Sequence, residues 1–277
     1  MNNKIKKIIT YILLILTGAL FLFPLLWTFV SSIKPENDIV SYPPKWIPEI
    51  FTMENYSMVL TKYPFLSWGL NSIIVTVCAT LLVLAISSLA AYAFGRLHFR
   101  LKKLLFTLVI SMLLIPMQAY IVPLFFMLST INMLNSYASI ILVAGANVTS
   151  VFILTSFFKG IPNELEEASR IDGCNDFTIF SRIMLPLAKP ALSTVTILTF
   201  ISNWNNFLWP LITIRDNNLK TLPVGIAQFM GGANSNAQFQ YGPSLAAACM
   251  AIVPTIIVFL SLQRYFVEGI ASSGIKG

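Results

Sequence analysis

The sequence Glu-Ala-Ser-Arg-Ile-Asp-Gly at 167–173, followed after nine residues by Ile-Met-Leu-Pro at 183–186, lies between two long hydrophobic runs. It is the most charged part of a strongly apolar chain. A short charged segment in such a place indicates a structured loop at one side of a membrane. Loops of this kind suit the docking of a soluble partner.

Composition places the chain in a membrane. Of its 277 residues 56% are hydrophobic and 10% are charged, and the mean hydropathy is +0.77. In soluble proteins roughly a quarter of residues are charged. The net charge of +7 does not indicate nucleic-acid binding, because the basic residues flank hydrophobic runs and so report membrane orientation.

Six runs are long enough to cross a bilayer as helices. The fold class we predict is therefore an all-α integral membrane protein with six transmembrane helices. A basic start and an apolar run too long for a signal peptide predict that the first run is a retained span. The expected spans are 8–33, 70–95, 104–128, 136–158, 187–213 and 244–264.

Basic residues are distributed unequally between the two sides. With the N-terminus inside, 13 of the 18 Lys and Arg residues fall in inside segments. The asymmetry predicts that both termini are cytoplasmic. The basic residues left outside are Lys34, Lys45, Lys62, Arg215 and Lys220.

We expect three regions along the chain. Residues 1–68 form the first transmembrane helix and an extracytoplasmic loop, in which prolines prevent a long helix. Residues 69–264 form the membrane-embedded core with the cytoplasmic loop 159–186, and 265–277 form a cytoplasmic tail. A second outside segment, 214–243, contains a Gly- and Asn-rich stretch at 231–236, which predicts a flexible polar loop.

The expected spans contain regularly spaced small residues and several prolines. Ser87, Ala91 and Gly95 recur every four residues and predict a helix face that a neighbouring helix approaches closely. Ala247 and Ala251 repeat the pattern, and ordinary helix packing accounts for both. Prolines inside spans are expected to kink them; they are Pro24, Pro116, Pro123, Pro210 and Pro254.

The loop 159–186 is predicted to contain two short helices. Asn163 and Glu166 have the spacing of a capping box, and Gly173 suits a left-handed helix end. Leu165, Ala168 and Ile171 would form an apolar stripe on the first helix. The second helix would place Phe177, Phe180 and Met184 on one face and end at Pro186. These faces pack either on a partner protein or on the chain's own spans, and the pattern leaves both alternatives open.

The chain offers little for catalysis. His98, beside Arg96 and Arg100, is expected to lie in a solvated basic loop, and the three cysteines have no metal-site or disulfide spacing. The expected spans contain no Asp, Glu or His. We therefore assign no catalytic and no metal-binding residues. A phosphate-binding GxxxxGK[ST] loop is also absent from the sequence, so a nucleotide that drives the protein would be bound by another chain.

The two-part loop motif resembles the cytoplasmic signature loop of ABC importer permeases. Both halves and their spacing agree, although Ser169 stands where the family often has alanine. The resemblance covers essentially the whole chain and is to carbohydrate-uptake permeases of the maltose, multiple-sugar and glycerol-phosphate type, in particular the second, shorter permease. Further matching segments are 71–72, 91–94, 161–162, 204–205, 263–269 and 276–277.

The resemblance implies a type I ABC importer permease core in a bacterial or archaeal cell membrane. It implies a second homologous permease, two cytoplasmic ATPase subunits that bind the ATP, and an extracytoplasmic sugar-binding protein; this chain itself would hold no cofactor. The first loop helix would insert into a groove of an ATPase. The residues assigned to this coupling loop are Glu167, Ala168, Ser169, Asp172, Gly173, Ile183, Leu185 and Pro186.

Polar residues within spans are candidates for the substrate path. Amides can pair with sugar hydroxyls, and an indole offers a flat apolar face. The same amides can instead join neighbouring helices by hydrogen bonds, and the partner permease could hold the main sugar contacts. The candidates are Gln118, Asn147, Asn203, Trp204 and Asn206, beside Asn205.

Three other functions compete with sugar import. An ABC permease could carry a polyamine, an amino acid or phosphate, and substrate-uptake assays distinguish these cargoes. An intramembrane enzyme would need catalytic groups within the spans. A secondary carrier commonly uses intramembrane carboxylates and would have no need for the charged loop. The absence of acidic residues from the expected spans disfavours both the intramembrane enzyme and the secondary carrier.

Overall fold

The computed structural model describes residues 3–230 and 240–274, and the side chains of 4–229 and 240–264. Within these ranges the chain is all-helical. The predicted loop at 231–236 and the matching residues 276–277 lie outside the described residues, as do the side chains of 265–269. The helices are α1 Asn3–Ser32, α2 Glu36–Ile39, α3 Glu54–Lys62, α4 Phe65–Gly95, α5 Lys102–Ser111, α6 Met117–Thr130, α7 Tyr137–Gly145, α8 Val148–Gly160, α9 Glu164–Ile171, α10 Asp176–Ile179, α11 Leu185–Leu187, α12 Lys189–Trp204, α13 Leu208–Thr213, α14 Leu222–Ile226 and α15 Tyr241–Gly274.

Four to six membrane spans can be counted in the described part of the chain. α1, α4, the α7–α8 pair and α15 are each long and apolar enough to cross a bilayer. Two bent pairs would each add a span: 102–114 with 117–130, and 176–187 with 189–204. The six predicted runs therefore all contain helix, and α15 continues ten residues beyond the predicted end at 264.

The third predicted span is not one helix. It bends by 104° where α5 and a 3₁₀ turn at Met112–Leu114 meet α6. Pro116 stands at this break, and Ile115 before it has extended backbone angles. A residue that precedes proline is disfavoured in the α conformation, so the predicted kink becomes a sharp bend.

The fifth predicted span is interrupted near its end. α12 stops at Trp204 and α13 starts at Leu208. The Asn205 side-chain amide donates to the Ile201 carbonyl at 2.9 Å. Asparagine side chains compete in this way with the backbone pattern of a helix, and they are favoured where helices end.

One compact unit comprises 67–223 with 254–277. In its core the Tyr92 ring of α4 lies 6.2 Å from Phe158 of α8 and 5.3 Å from Phe180, centroid to centroid. A Cβ on Gly95 would lie 3.1 Å from the Phe158 Cβ. The predicted small-residue face of α4 therefore packs closely on α8.

The matching pair Asn71-Ser72 fastens the segment after α13 to α4. The Asn71 amide donates to the Asn218 and Lys220 carbonyls at 2.7 and 2.9 Å. The Ser72 hydroxyl accepts from the Leu222 N–H at 2.7 Å. Both side chains are buried, so they satisfy backbone groups that would otherwise lack partners.

The other compact unit comprises 1–66 with 224–253. As its prolines predict, the stretch between α1 and α4 holds only the short helices α2 and α3. The buried Asn55 amide donates to the Ser32 and Lys34 carbonyls at 2.9 and 2.8 Å. The Glu36 carboxylate accepts from the first two N–H groups of α15. Glu36, at the start of α2, therefore caps the N-terminus of α15.

Candidate functional site

The first loop helix, α9, ends as the sequence predicts. Gly173 has φ +81°, a left-handed conformation that glycine adopts without a steric penalty. The Gly173 N–H donates to the Arg170 carbonyl at 3.1 Å, and the Cys174 N–H donates to the Ser169 carbonyl at 3.0 Å. These two bonds form a Schellman motif, which fixes the direction of the chain between α9 and α10.

The start of α9 differs from the prediction. The Asn163 side chain makes no capping bond, and its backbone is already helical with φ −70° and ψ −27°. Its amide oxygen instead accepts a hydrogen bond from the Arg96 guanidinium. The predicted capping box is therefore wrong. A charge-assisted bond from arginine is stronger than a bond from a neutral backbone N–H, and the Asn163 side chain takes it.

Arg96 is the group that holds the start of the loop. It directly follows α4, and its side chain is 5% exposed. The guanidinium donates to the Ile161 and Pro162 carbonyls in addition to Asn163. Its Nε lies 3.8 Å from the Glu166 carboxylate. His98 and Arg100 are exposed, as expected for a solvated basic loop, whereas Arg96 beside them is buried.

A chain of opposite charges continues from Arg96 along the loop. Glu166 also accepts from Arg170 at 2.9 Å, and Arg170 donates to Asp176 of α10 at 2.6 Å. Hydrogen bonds from the guanidinium to Glu166 and then to Asp176 raise the pKa of Arg170. Arg170 is half exposed, so these outer pairs contribute little stability. They orient α9 and α10 relative to each other.

A groove of about 730 Å³ opens beside these charges. It lies between the α4–α5 connection and α9, within one compact unit. Groups of both signs line it, so it can accept polar and charged side chains of another protein. The lining includes His98, Lys102, Lys159, Glu167, Arg170 and Asp176.

The predicted apolar stripe of α9 faces outward. Leu165 is 43% exposed, Ile171 is 87% exposed, and Ala168 is exposed as well. Ser169 is buried instead, and its hydroxyl donates to the Leu165 carbonyl. Of the two alternatives for the stripe, packing on the chain's own spans is therefore excluded for α9.

Most of the large apolar side chains in the second half of the loop are buried, in contrast to those of α9. Ile179, Phe180 and Met184 are buried in the core with residues of α4, α8 and α12, whereas Phe177 is 70% exposed. The predicted single face of Phe177, Phe180 and Met184 is thus split. A π-helical turn at Phe180–Met184 changes the angular spacing of side chains from that of an α-helix.

The assigned coupling residues follow this division. Glu167, Ala168, Asp172 and Gly173 are exposed, and Ser169 is buried. In the second half Ile183 and Leu185 are half-buried and Pro186 is exposed near the start of α11. The first group lies in α9 and in the turn after it, and Leu185 of the second group packs against the buried core.

The substrate-path candidates lie at interruptions of helices. Gln118 is exposed in the first turn of α6, after the break at Pro116. Asn147 separates α7 from α8 and caps α8 by accepting from the Ser150 N–H at 2.9 Å. Broken helices are frequent around transporter binding sites because they free backbone groups. The bond of Asn147 gives it a local capping role in α8 and is not the bond between neighbouring helices that was the expected alternative.

The remaining candidates lie at the break between α12 and α13. Asn203 and Asn206 are half-buried, and the Asn206 N–H donates to the Asn203 carbonyl at 3.2 Å. Trp204 is 3% exposed and stacks on Phe200 with ring centroids 6.0 Å apart. Its ring is therefore buried in this conformation, and a sugar would reach it only after a rearrangement.

A family model described as "Binding-protein-dependent transport system inner membrane component" matches residues 84–271. The chain belongs to this family. Its members are inner-membrane components of transport systems. The match includes the whole loop 159–186, and the predicted resemblance of the chain to this family of permeases is confirmed.

Several relatives that match this permease along almost its whole length are named for the transport of sugars or glycerol phosphate. It is 34% identical over all of both chains to the arabinooligosaccharides transport system permease protein AraQ of Halalkalibacterium halodurans. It is 33% identical to the sn-glycerol-3-phosphate transport system permease protein UgpE of Salmonella typhi, over 98% of each chain.

A solved structure supports the permease fold. A chain of a bacterial ABC transporter that imports the acidic polysaccharide alginate matches with a TM-score of 0.83 and 25% identity, over 95% of this chain and 97% of that one. The all-helical architecture with several membrane spans is therefore that of an ABC importer permease.

Sequence reasoning missed two contributors to the loop of this permease. Arg96 stands 67 residues before Asn163, no sequence motif links the two, and only the fold brings them together. Asn175 caps α10 by accepting from the Thr178 N–H at 2.8 Å. An asparagine shortly after a glycine helix stop is a signal that could have indicated this cap.

Proposed function

We propose that this permease is the shorter membrane subunit of an ATP-driven importer that carries a carbohydrate. Family membership supports the transport role, and the names of the relatives support the cargo: arabinooligosaccharides, sn-glycerol-3-phosphate and sulfoquinovosyl glycerol. A polyamine or amino acid cargo is not favoured by these relatives. These names cover oligosaccharides and small glycerol derivatives that carry a phosphate or a sulfonated sugar.

The coupling element in this proposal is α9. The observation that carries it is the outward face of Leu165, Ala168 and Ile171, on a helix whose opposite side is held by Arg96. An exposed apolar face of this kind indicates a protein partner. Glu164 and Glu167 are exposed beside it and would meet basic groups of a cytoplasmic ATPase.

Arg96 would connect the docked helix α9 to a membrane-spanning helix. It directly follows α4, a 31-residue helix long enough to cross the bilayer, and it contacts the chain at 161–163 and Glu166. A displacement of α9 by the ATPase would therefore pull on α4. Alternating access would follow as a shift between two packings of the spanning helices.

The complete transporter would contain four kinds of subunit. They are this permease, a second homologous permease, two ATPase subunits that bind ATP, and an extracytoplasmic sugar-binding protein. Both termini and α9 would lie in the cytoplasm, which the distribution of basic residues supports. The substrate path would run past the helix interruptions near Gln118, Asn147 and Asn203, with Trp204 and Asn206.

Uptake by the reconstituted transporter tests the proposal. The permease is purified with the subunits that copurify and placed in ATP-loaded vesicles with the binding protein. We expect uptake of a labelled arabinooligosaccharide or glycerol phosphate and none of spermidine or glutamate. Uptake of spermidine or glutamate without carbohydrate uptake would contradict the proposed cargo. ATP-independent uptake would contradict the proposed mechanism.

A further inference from the structure

The segment between α2 and α3 exposes an unusual number of large apolar side chains. Pro48 within it is buried, so the segment has a packed side as well as an open one. The exposed apolar residues range from 58% to 96% in exposure. They are Val40, Tyr42, Trp46, Ile47, Ile50, Phe51 and Met53.

This segment folds back along α1. The Trp46 ring lies 4.9 Å from Trp27 and 5.7 Å from Phe23, centroid to centroid. Phe23 is nine residues before Ser32, the last residue of α1. At 1.5 Å per residue Trp46 therefore reaches a level roughly 13 Å back from the end of that helix.

The depth of this contact matches a membrane boundary. Lys7 is the last basic residue at the start of α1. About 20 helical residues cross the hydrocarbon core, which is about 30 Å thick, so a span that begins after Lys7 leaves the core near Trp27. Tryptophan is enriched at this level because its ring is apolar and its N–H is polar.

The charges of the segment are neutralised locally. The Lys45 amine lies 3.1 Å from both Asp38 and Glu49. The buried Lys34 amine lies 4.4 Å above the Trp27 ring and donates to the Lys45 carbonyl. Paired charges and cation–π contacts suit the boundary between water and lipid, where an isolated charge would be costly.

We propose that residues 40–53 form a lipid anchor, which lies in the interface of the leaflet where α1 ends. The occupant of its open face is lipid, because Trp46 lies against Trp27 and Phe23 of α1 at the level where that helix leaves the hydrocarbon core. This role goes beyond transport and does not depend on the cargo or on the ATPase contact.

Spin labels at two exposed positions test the anchor. Ile47→Cys and Phe51→Cys are made in a variant whose Cys78, Cys174 and Cys249 are serine, and the assembled transporter is studied in lipid nanodiscs. Collision of the labels with oxygen and with a water-soluble nickel chelate is then measured. Ser57→Cys, on an exposed turn of α3, is the matched control.

The proposal predicts that oxygen collides with the labels at 47 and 51 at least threefold more than the nickel chelate does. The label at 57 should show the reverse. Equal access of the chelate to 47, 51 and 57 would overturn the proposal in favour of water. Exclusion of both reagents from 47 and 51 would overturn it in favour of a protein that covers the segment.

A second measurement leaves the native cysteines in place. Lipids brominated high on the acyl chain quench tryptophan fluorescence at the depth expected for Trp46. We expect weaker quenching in Trp46→Phe than in the unmodified transporter. Unchanged quenching would contradict the anchor, whatever the outcome in the cysteine-free variant.

Discussion

Arg96 contacts the loop at both neutral and charged acceptors. Its planar guanidinium presents several donors in a fixed arrangement, which a lysine ammonium does not reproduce. Asn163, the Ile161 carbonyl and Glu166 lie around it. Since Arg96 and Glu166 are both largely buried, the loss of these contacts leaves polar groups without partners.

We predict that Arg96→Lys lowers the free energy of unfolding by about 1.5–3 kcal/mol, the range for hydrogen bonds to charged groups. It should also reduce uptake per ATP hydrolysed, because α9 is no longer tied to α4. Thermal melting in detergent and paired uptake and ATPase assays measure both effects. Arg100→Lys is the control, since Arg100 is exposed; equal behaviour of the two variants would refute the role of Arg96.

Gly173 gives a second prediction for a single residue. A valine there has open space around its Cβ but must adopt φ +81°, which costs roughly 1–2 kcal/mol for a residue with a side chain. We expect Gly173→Val to insert normally and to hydrolyse ATP without proportionate uptake, because the turn after α9 is displaced. Membrane content, ATPase activity and uptake are measured on the same vesicles.

Gly160 supplies the matched control for that variant. It ends α8, also has open space around its Cβ, and does not have a left-handed backbone. Gly160→Val should keep its coupling. Normal coupling in Gly173→Val would show that the left-handed turn is dispensable and would remove one support of the docking proposal.

Substitutions of two isoleucines distinguish the exposed face of α9 from the buried face of α10. Ile171 on α9 is 87% exposed, and Ile179 on α10 is completely buried. Ile179→Ala should destabilise the permease by about 2–5 kcal/mol, as for other buried isoleucines. Ile171→Ala should change stability by less than about 0.5 kcal/mol and yet weaken association with the ATPase.

Thermal melting and ATPase copurification separate these two effects. A loss of stability in Ile171→Ala similar to that of Ile179→Ala would mean that α9 packs on the permease itself. Retention of the ATPase at wild-type levels in Ile171→Ala would mean that its exposed face is not the contact.

The boundaries of α9 show what sequence could predict at the scale of an element. Its end was predictable because a Schellman turn depends on local chemistry, and Gly173 supplies it. Its start was not, because Asn163 binds Arg96 from a distant part of the chain. Pro116 predicted a kink in the same local way, but a proline does not by itself specify the size of the bend, which is 104° in the structure.

At the scale of the whole molecule, composition predicted the membrane-embedded all-helical class, and the motif predicted the transport family. The substrate-path candidates were chosen for polarity within apolar runs. The structure gives Asn147 a capping role and buries Trp204. Sequence could not anticipate these contacts because capping and burial depend on where helices break.

The distribution of basic residues makes a prediction about topology. Ser57 and Arg100 are both exposed, and they should lie on opposite sides of the membrane. In a variant without native cysteines, Ser57→Cys should react with a membrane-impermeant maleimide on intact cells. Arg100→Cys should react only after the membrane is opened. Reaction of both on intact cells would refute the predicted orientation.

Cross-linking from Ala168 tests most directly whether α9 docks on the ATPase. Ala168→Cys in the same background is labelled with a photoactivatable maleimide in the assembled transporter and irradiated, with Ser57→Cys as the control. We predict an adduct of the permease with the ATPase subunit from position 168 and none from position 57, as identified by mass spectrometry. An Ala168→Cys label that reacts only within the permease would contradict the docking of α9 on the ATPase.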